Sequence, residues 1–207
     1  MSFLSKVYVA ANAYPYFHVQ DSPNLPKIPQ YERNNLDPAA IYFFIKSHKG
    51  YDYDTWEQKK WRWDANLKPK TKILNLSNAT QQAQEKLLKL SGLPTRESIW
   101  KFLKEDAVHD EIRDYDPEKL LEEFFQCDKA ETEIPTDKAT LFPSTTYRIL
   151  RLKCNGALKF SALLQKAGYD AVLDTVDAHF AEEPQLVVLN PECIVWGERV
   201  KNNPPKD

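Results

Sequence analysis

The side chains of this sequence that could ligate a metal or act as a nucleophile are few and scattered. Its four histidines lack the i, i+4 spacing that places two imidazoles on one helical face; they stand at positions 18, 48, 109 and 179. Its three cysteines are an odd number without CxxC spacing, which indicates neither a disulfide framework nor a zinc site. We therefore expect no metal site, and we interpret Cys127, Cys154 and Cys193 as buried free thiols.

Two other segments have residue types suited to chemistry. Cys154 precedes a helix predicted to start near Asn155, where a helix N-terminus would lower the thiol pKa, but no Cys-His protease signature surrounds it. Segment 52–64, DYDTWEQKKWRWD, mixes tryptophans with basic residues, and indoles beside cations can stack on nucleobases or an adenine ring. The interpretation we favour is that the tryptophans anchor a loop onto the core while the charges stay solvated.

Three short apolar runs carry polar side chains where buried strands are usually aliphatic. His18 lies in FHVQ, Tyr42 in AIYFF and Gln185 in EPQLVVLNPECI. Each is either a packing residue with a satisfied polar tip or a wall of a site. Taken singly, His18 and Tyr42 are more typical of packing.

The elements that would position these residues alternate between strands and helices. Strands are predicted for KVYVA, YPYFHVQ, AIYFFI, TKILNLS, YDAVLDT and QLVVLNP. Apolar residues at three- and four-residue intervals predict a helical block over 79–126, with a break at Gly92 and a helix start at Asp116-Pro117. A later helix runs from Asn155 to Gly168. The pattern favours an α+β protein with a proline-punctuated loop at 21–38.

Composition narrows the classes of protein that this chain can be. Its 207 residues favour one domain, and a net charge of -2 supplies no field that would attract nucleic acid. Neither GxGxxG nor GxxxxGK[ST] occurs, which disfavours two common nucleotide-binding folds. No run of about 20 apolar residues and no signal-peptide pattern is present, so we expect a cytoplasmic protein without a membrane partner.

The three runs, in this order, resemble the strand motifs of the ADP-ribosyltransferase fold in its His-Tyr-Glu branch, which diphtheria-like toxins and poly-ADP-ribose polymerases share. The matching residues are Phe17-His18-Val19, Ile41-Tyr42-Phe43 and the strand that begins at Gln185. The C-terminal unit, GYDAVLDT followed by PQLVVLNPECI, is similar to that of small bacterial and phage members. The resemblance covers roughly residues 7–78 and 150–200.

This resemblance implies a fold and a site. The fold would be a single α+β domain over 1–207, with a split β-sandwich core and a helical insertion at about 79–140. NAD would bind as the substrate without a metal, between cofactor-binding residues Phe17, His18, Tyr42 and Phe43. By the family pattern, His18 would hydrogen-bond the nicotinamide ribose and Tyr42 would stack on the nicotinamide ring.

The resemblance breaks at Gln185, where the family has a glutamate that stabilises the positive charge of the transition state. An amide can hold a ribose hydroxyl but supplies no negative charge. Glu183, two residues earlier on the same strand face, or Glu182 would replace that charge. We therefore assign Gln185 and Glu183 as the catalytic candidates.

The implied function is that of a mono-ADP-ribosyltransferase, a glycosyltransferase that moves ADP-ribose from NAD to a protein or nucleic-acid acceptor and releases nicotinamide. A toxin-like role follows only from the family. The alternative is a catalytically inactive module that binds NAD, a nucleotide or a protein. More distant alternatives are a nucleic-acid modifier that uses the Trp56 to Trp63 segment, and the arginine-serine-glutamate branch, for which Arg33, Ser144-Thr145-Thr146 and Glu183-Pro184-Gln185 are the candidates.

Overall fold

A computed structural model describes residues 15–30, 38–45, 59–106, 117–125, 143–174 and 185–201. These residues form a mixed α+β protein, as the sequence pattern predicts. They divide into a sheet unit, drawn from 1–29, 40–74 and 169–207, and a helical unit, drawn from 30–39 and 75–168. The predicted strand KVYVA lies outside the described residues.

The sheet unit contains a seven-stranded sheet with the order β4-β5-β6-β2-β1-β3-β7. Its strands are β1 (Tyr16–Gln20), β2 (Ile41–Ile45), β3 (Trp61–Leu67), β4 (Ile73–Asn75), β5 (Ala171–Asp174), β6 (Gln185–Val188) and β7 (Ile194–Lys201). The pairs β1–β2, β1–β3, β2–β6, β3–β7 and β5–β6 are all antiparallel. Sequence neighbours are therefore not always sheet neighbours, since β2 pairs with β6.

The two sides of this sheet carry different residues because side chains alternate along each strand. The side that carries Phe43, here called the Phe43 face, holds a buried apolar cluster: Ile41, Phe43, Ala65, Ala171, Leu186, Val188, Cys193 and Ile194. The opposite side, the Tyr42 face, carries Tyr42 and Phe44 of β2 with Val187 and Gln185 of β6. Both faces are buried at the middle of the sheet, since Phe44, Val172 and Val187 of the Tyr42 face are 5%, 0% and 0% exposed.

The described residues of the helical unit form five α-helices and a π-helical turn at Phe102–Asp106. The helices are α1 (Gln81–Leu90), α2 (Arg96–Lys101), α3 (Pro117–Phe125), α4 (Pro143–Cys154) and α5 (Ala157–Lys166). Thr80 caps α1 through Ala83 N, and Thr95 forms a capping box with Ser98 at α2. The residues buried in this unit are mostly aliphatic and aromatic, among them Leu103, Leu120, Leu121, Ile149, Leu150, Phe160 and Leu164.

Local stop signals were read correctly from the sequence. Gly92 and Gly168 both have positive φ, at 87° and 93°, and each follows the end of a helix as predicted. Pro117 is the first residue of α3, which confirms the predicted start. These signals act within one or two residues, so the sequence alone determines them.

Three elements and one helix cap differ from the prediction. Residues 61–67 form β3 instead of a loop, because β1 and β7 pair with them on either side. Helix α4 and strand β7 were not predicted at all. Asn155 does not cap α5; it has a left-handed φ of 42°, and Gly156 is the cap residue.

Candidate functional site

The three strands that carry the sequence motifs are direct neighbours in the sheet, in the order β6-β2-β1. Phe44 lies opposite Gln185 in the β2–β6 ladder, and Phe17 lies opposite Phe44 in the β1–β2 ladder. Residues that are distant in the chain are thus brought within one or two strand spacings of each other, which is about 5 to 10 Å.

The backbone ladder between β1 and β2 is shorter than the ladders on either side of it. It contains Tyr16 opposite Ile45 and Phe17 opposite Phe44, whereas β1 pairs with β3 as far as Gln20. Where the β1–β2 ladder stops, the His18 side chain links the strands, with Nδ1 2.8 Å from the backbone oxygen of Tyr42. The histidine of one motif therefore hydrogen-bonds the tyrosine residue of the next.

This bond determines the tautomer of His18. A carbonyl oxygen can only accept, so Nδ1 carries the hydrogen and donates it. In the neutral ring, Nε2 then presents a lone pair. Burial lowers the pKa of His18 below its ordinary value of 6.5, and hydrogen bonds to the Tyr42 carbonyl and the Gln20 side chain only partly offset this effect. His18 is therefore neutral at physiological pH, and the Tyr42 carbonyl and the Gln20 side chain are its two hydrogen-bond partners.

We expect the lowered pKa of His18 to make the protein less stable in mild acid. Below pH 6.5 the unfolded chain binds a proton at this residue that the folded protein does not bind. The free energy of unfolding therefore falls as the pH drops from 6.5 toward the pKa of the folded state. Urea unfolding of the natural protein and of His18→Asn across this range measures the effect, and the stability difference between them should shrink in acid. Parallel curves would show that His18 contributes no such linkage.

Gln185 is a buried polar side chain on the Tyr42 face. It is 4% exposed, and its Oε1 accepts no hydrogen bond from any residue that the structure describes. Tyr42 lies on the same face, opposite Val187, and keeps part of its surface accessible. A buried amide oxygen without a donor costs free energy, and a ligand hydroxyl would supply the missing hydrogen bond.

The five described site residues divide between the two faces of the sheet. Phe17 contacts Phe44, with ring centroids 5.3 Å apart, and so lies with Tyr42 and Gln185. His18 contacts Phe43 at 6.0 Å on the other face. The structure therefore brings Phe17, Tyr42 and Gln185 together, and places the imidazole at the end of the β1–β2 ladder. Glu182 and Glu183 lie outside the described residues.

Phe43 belongs to the core of the sheet unit. It is 1% exposed and its ring lies 5.7 Å from Trp196. Within the described part of the chain, its surroundings are those of a packing residue.

Sequence reasoning missed Asp174, the last residue of β5. It lies directly opposite Gln185 in the β5–β6 ladder and is fully buried, at 0% exposure. Strand alternation places Asp174 on the same side of β5 as Val172. An ionisable residue therefore lies on a strand face that is otherwise buried. That local signal was present, but only strand pairing shows that the carboxylate neighbours Gln185.

The tryptophans proposed as a stacking platform are engaged within the protein. Trp61 and Trp63 lie on β3, and the Arg199 guanidinium lies 4.6 Å from the first ring and 5.8 Å from the second. Arg199 also donates from Nη1 to the backbone oxygen of Pro23 at 2.8 Å. The prediction of an anchored loop was wrong here, because these residues form a strand; Trp56 lies outside the described residues.

The other described residues that the sequence offered as site candidates pack or form hydrogen bonds within the protein. Cys154 ends α4, and burial raises its pKa to about 11, so it is not an activated nucleophile. Thr145 and Thr146 are buried in α4 and hydrogen-bond Glu123 and Gln84. Arg33 lies outside the described residues. Among the described side chains no group of three His, Cys, Asp or Glu residues is arranged to hold a metal ion.

Comparison of the chain with protein-family models, with curated proteins and with solved structures found no match. The described residues establish an α+β protein with a seven-stranded, mostly antiparallel sheet. In the described part of the chain, no helix is both long enough and apolar enough to span a bilayer.

Proposed function

We propose that the protein is an NAD-dependent mono-ADP-ribosyltransferase that moves ADP-ribose to a macromolecular acceptor and releases nicotinamide. The observation that carries the proposal is the adjacency of the three motif strands, with His18 linked to the Tyr42 backbone where their ladder ends. One dinucleotide can contact all three motifs only if they lie side by side. The resemblance in sequence requires that arrangement, and the sheet order supplies it.

The residues that surround the end of the β1–β2 ladder suit the parts of NAD that react. A ribose hydroxyl would donate to Nε2 of neutral His18 in place of its contact with the Gln20 side chain, and Tyr42 presents a partly exposed aromatic ring to the nicotinamide. Gln185 Oε1 is a buried acceptor for a second hydroxyl. On this proposal the glycosidic bond breaks with its electron pair on the nicotinamide nitrogen, and the acceptor nucleophile adds to the ribose carbon and loses its proton to solvent.

The test is nicotinamide release from NAD by the purified full chain, with and without a cell lysate that supplies acceptors. We expect release that depends on protein concentration, and transfer of label from adenine-labelled NAD to a macromolecule in the lysate. Release without a labelled macromolecule would indicate a glycohydrolase, in which water is the acceptor. Neither release nor labelling, from a protein shown to be folded, would contradict an enzymatic function.

The alternative is an NAD-binding module without activity. It is favoured by the amide at position 185 and by the position of His18 on the other face from Tyr42 and Gln185. This alternative predicts that NAD raises the melting temperature although no nicotinamide is released. Turnover that is lost in Tyr42→Ala would exclude it.

A further inference from the structure

The end of the sheet that β3 and β7 form carries a second group of aromatic and cationic side chains. Trp63 lies opposite Arg199 in the β3–β7 ladder, and Trp61 lies opposite Lys201. Residues that are opposite each other, or two positions apart on one strand, share one side of a sheet. This side is the Phe43 face, because the Trp63 ring lies 5.9 Å from Trp196, whose ring contacts Phe43. We call Trp61, Trp63, Arg199 and Lys201 the Trp61–Arg199 surface.

The guanidinium of Arg199 is exposed but held in place. It lies 4.6 Å from the centre of the Trp61 ring and 5.8 Å from that of Trp63, within the range of a cation–π interaction. Its Nη1 donates to the Pro23 backbone oxygen at 2.8 Å. A guanidinium has five N–H donors and stays protonated in proteins. Arg199 therefore presents to solvent a charged group whose position is fixed and most of whose donors have no acceptor among the described residues.

The charge of this surface is positive although the whole chain has a net charge of -2. Lys201 is exposed, and within the described part of the chain no carboxylate pairs with Lys201 or with Arg199. Asp21, in the loop that follows β1, pairs with Lys59 at 2.8 Å. Glu198 precedes Arg199 and lies on the other side of β7 by strand alternation. The surface can therefore attract an anion that the chain as a whole would not.

We propose that the Trp61–Arg199 surface binds single-stranded nucleic acid, with a base stacked on the Arg199 guanidinium and a neighbouring phosphate bound by Lys201. Unpaired bases stack on arginine guanidinium planes as well as on aromatic rings, and cations beside them neutralise the phosphates. An acidic peptide would use only the two cations, whereas a nucleotide has a flat ring for the guanidinium and a phosphate for the amine. A duplex keeps the faces of its bases stacked inside and cannot make the first contact.

This inference goes beyond the proposed function, because binding of the strand requires neither NAD nor catalysis. The surface is nevertheless close to the proposed NAD site. His18 lies opposite Trp63 in the β1–β3 ladder, and Trp63 lies opposite Arg199 in the next ladder. His18 and Arg199 are therefore two strand spacings apart, which is about 10 Å. If the proposed function holds, a strand bound at this surface is within reach as its acceptor.

The experiment measures binding of short, fluorescently labelled oligothymidylate and oligouridylate to the full chain by anisotropy, over a series of salt concentrations. We expect binding of a single strand, weaker binding of a DNA duplex, and a loss of affinity as salt rises. Arg199→Ala should weaken binding about 10-fold or more, as expected for the loss of one stacked base. It should also lower the slope of log K against log salt by about 0.7, the contribution of one phosphate contact in a single strand. Binding of either strand supports the proposal, and the tighter of the two identifies the kind of nucleic acid.

Three further variants separate stacking, charge and folding. Arg199→Lys keeps the charge but lacks the plane, so it should keep the salt slope and still lose affinity several-fold. Arg96→Ala is the matched control, because Arg96 also lies over a ring, that of Phe125 at 4.9 Å, but belongs to the helical unit. It makes the same change of net charge and should bind like the natural protein. Lys201→Ala should lower the salt slope by about 0.7, and it tests the surface if Arg199→Ala does not fold.

Several results would overturn this inference. One is a folded full chain that binds neither strand at low salt, and another is equal weakening by Arg199→Ala and Arg96→Ala. Full affinity in Arg199→Lys would exclude stacking on the guanidinium. Binding of poly-glutamate at least as tight as that of the oligonucleotides would indicate an acidic protein as the partner instead. None of these measurements includes NAD, so a failure of the proposed function and a failure of this inference are distinguishable.

Discussion

Replacing His18 with asparagine is expected to lower nicotinamide release by about 100-fold or more while the protein stays folded, because a misplaced or missing positioning contact costs about this factor. The asparagine amide nitrogen occupies nearly the place of Nδ1 and can still donate to the Tyr42 carbonyl, which lies 2.8 Å from Nδ1. What the variant loses is Nε2, the acceptor that the proposed function assigns to a ribose hydroxyl. Initial rates of nicotinamide release measure the loss.

The matched control is His18→Gln, whose amide reaches the place of Nε2 instead. It should keep more of the activity and lose more of the stability, since the bond to Tyr42 is broken. Opposite effects of the two variants on activity and on stability would distinguish the role of Nε2 from that of Nδ1. Full activity in His18→Asn would contradict a role for Nε2, and unfolding of His18→Asn would indicate that the aromatic contact with Phe43 is the main role of the imidazole.

Truncating Phe43 to alanine is expected to lower the free energy of unfolding by about 3 to 5 kcal/mol, the usual cost of removing a phenyl ring from a filled core. Phe43 is 1% exposed, and its ring contacts both Trp196 and His18. No neighbouring strand can move to fill the cavity without breaking its ladder. Urea unfolding, monitored by tryptophan fluorescence and by circular dichroism, measures the change.

The control for this prediction is Leu25→Ala, which removes an apolar side chain that is 47% exposed. We expect it to change stability by less than about 0.5 kcal/mol. A similarly small effect of Phe43→Ala would contradict its place in the core and favour the sequence-based assignment of Phe43 to the cofactor site. A large loss of stability would instead show that Phe43 is a core residue, unlike its sequence neighbour Tyr42, which lies on the other face.

Strand alternation predicts some features of the motif residues but not all of them. In AIYFF, period two already requires Tyr42 and Phe43 to lie on opposite faces. It does not specify which of these two side chains is fully buried, and it does not specify which strands flank β2. The sequence-based site therefore included both residues, whereas the sheet buries Phe43 among Ile41, Leu186 and Val188.

The sequence by itself determined the local structure of this protein: the strands at its three motifs, the helix ends at Gly92 and Gly168, and the start of α3 at Pro117. Those features depend on alternation and backbone preferences over a few residues. Only the tertiary structure decided that 61–67 and 194–201 are strands and that Asp174 lies opposite Gln185. The reason is physical: strand pairing is a contact between distant segments, selected by the burial and hydrogen bonding of the whole sheet.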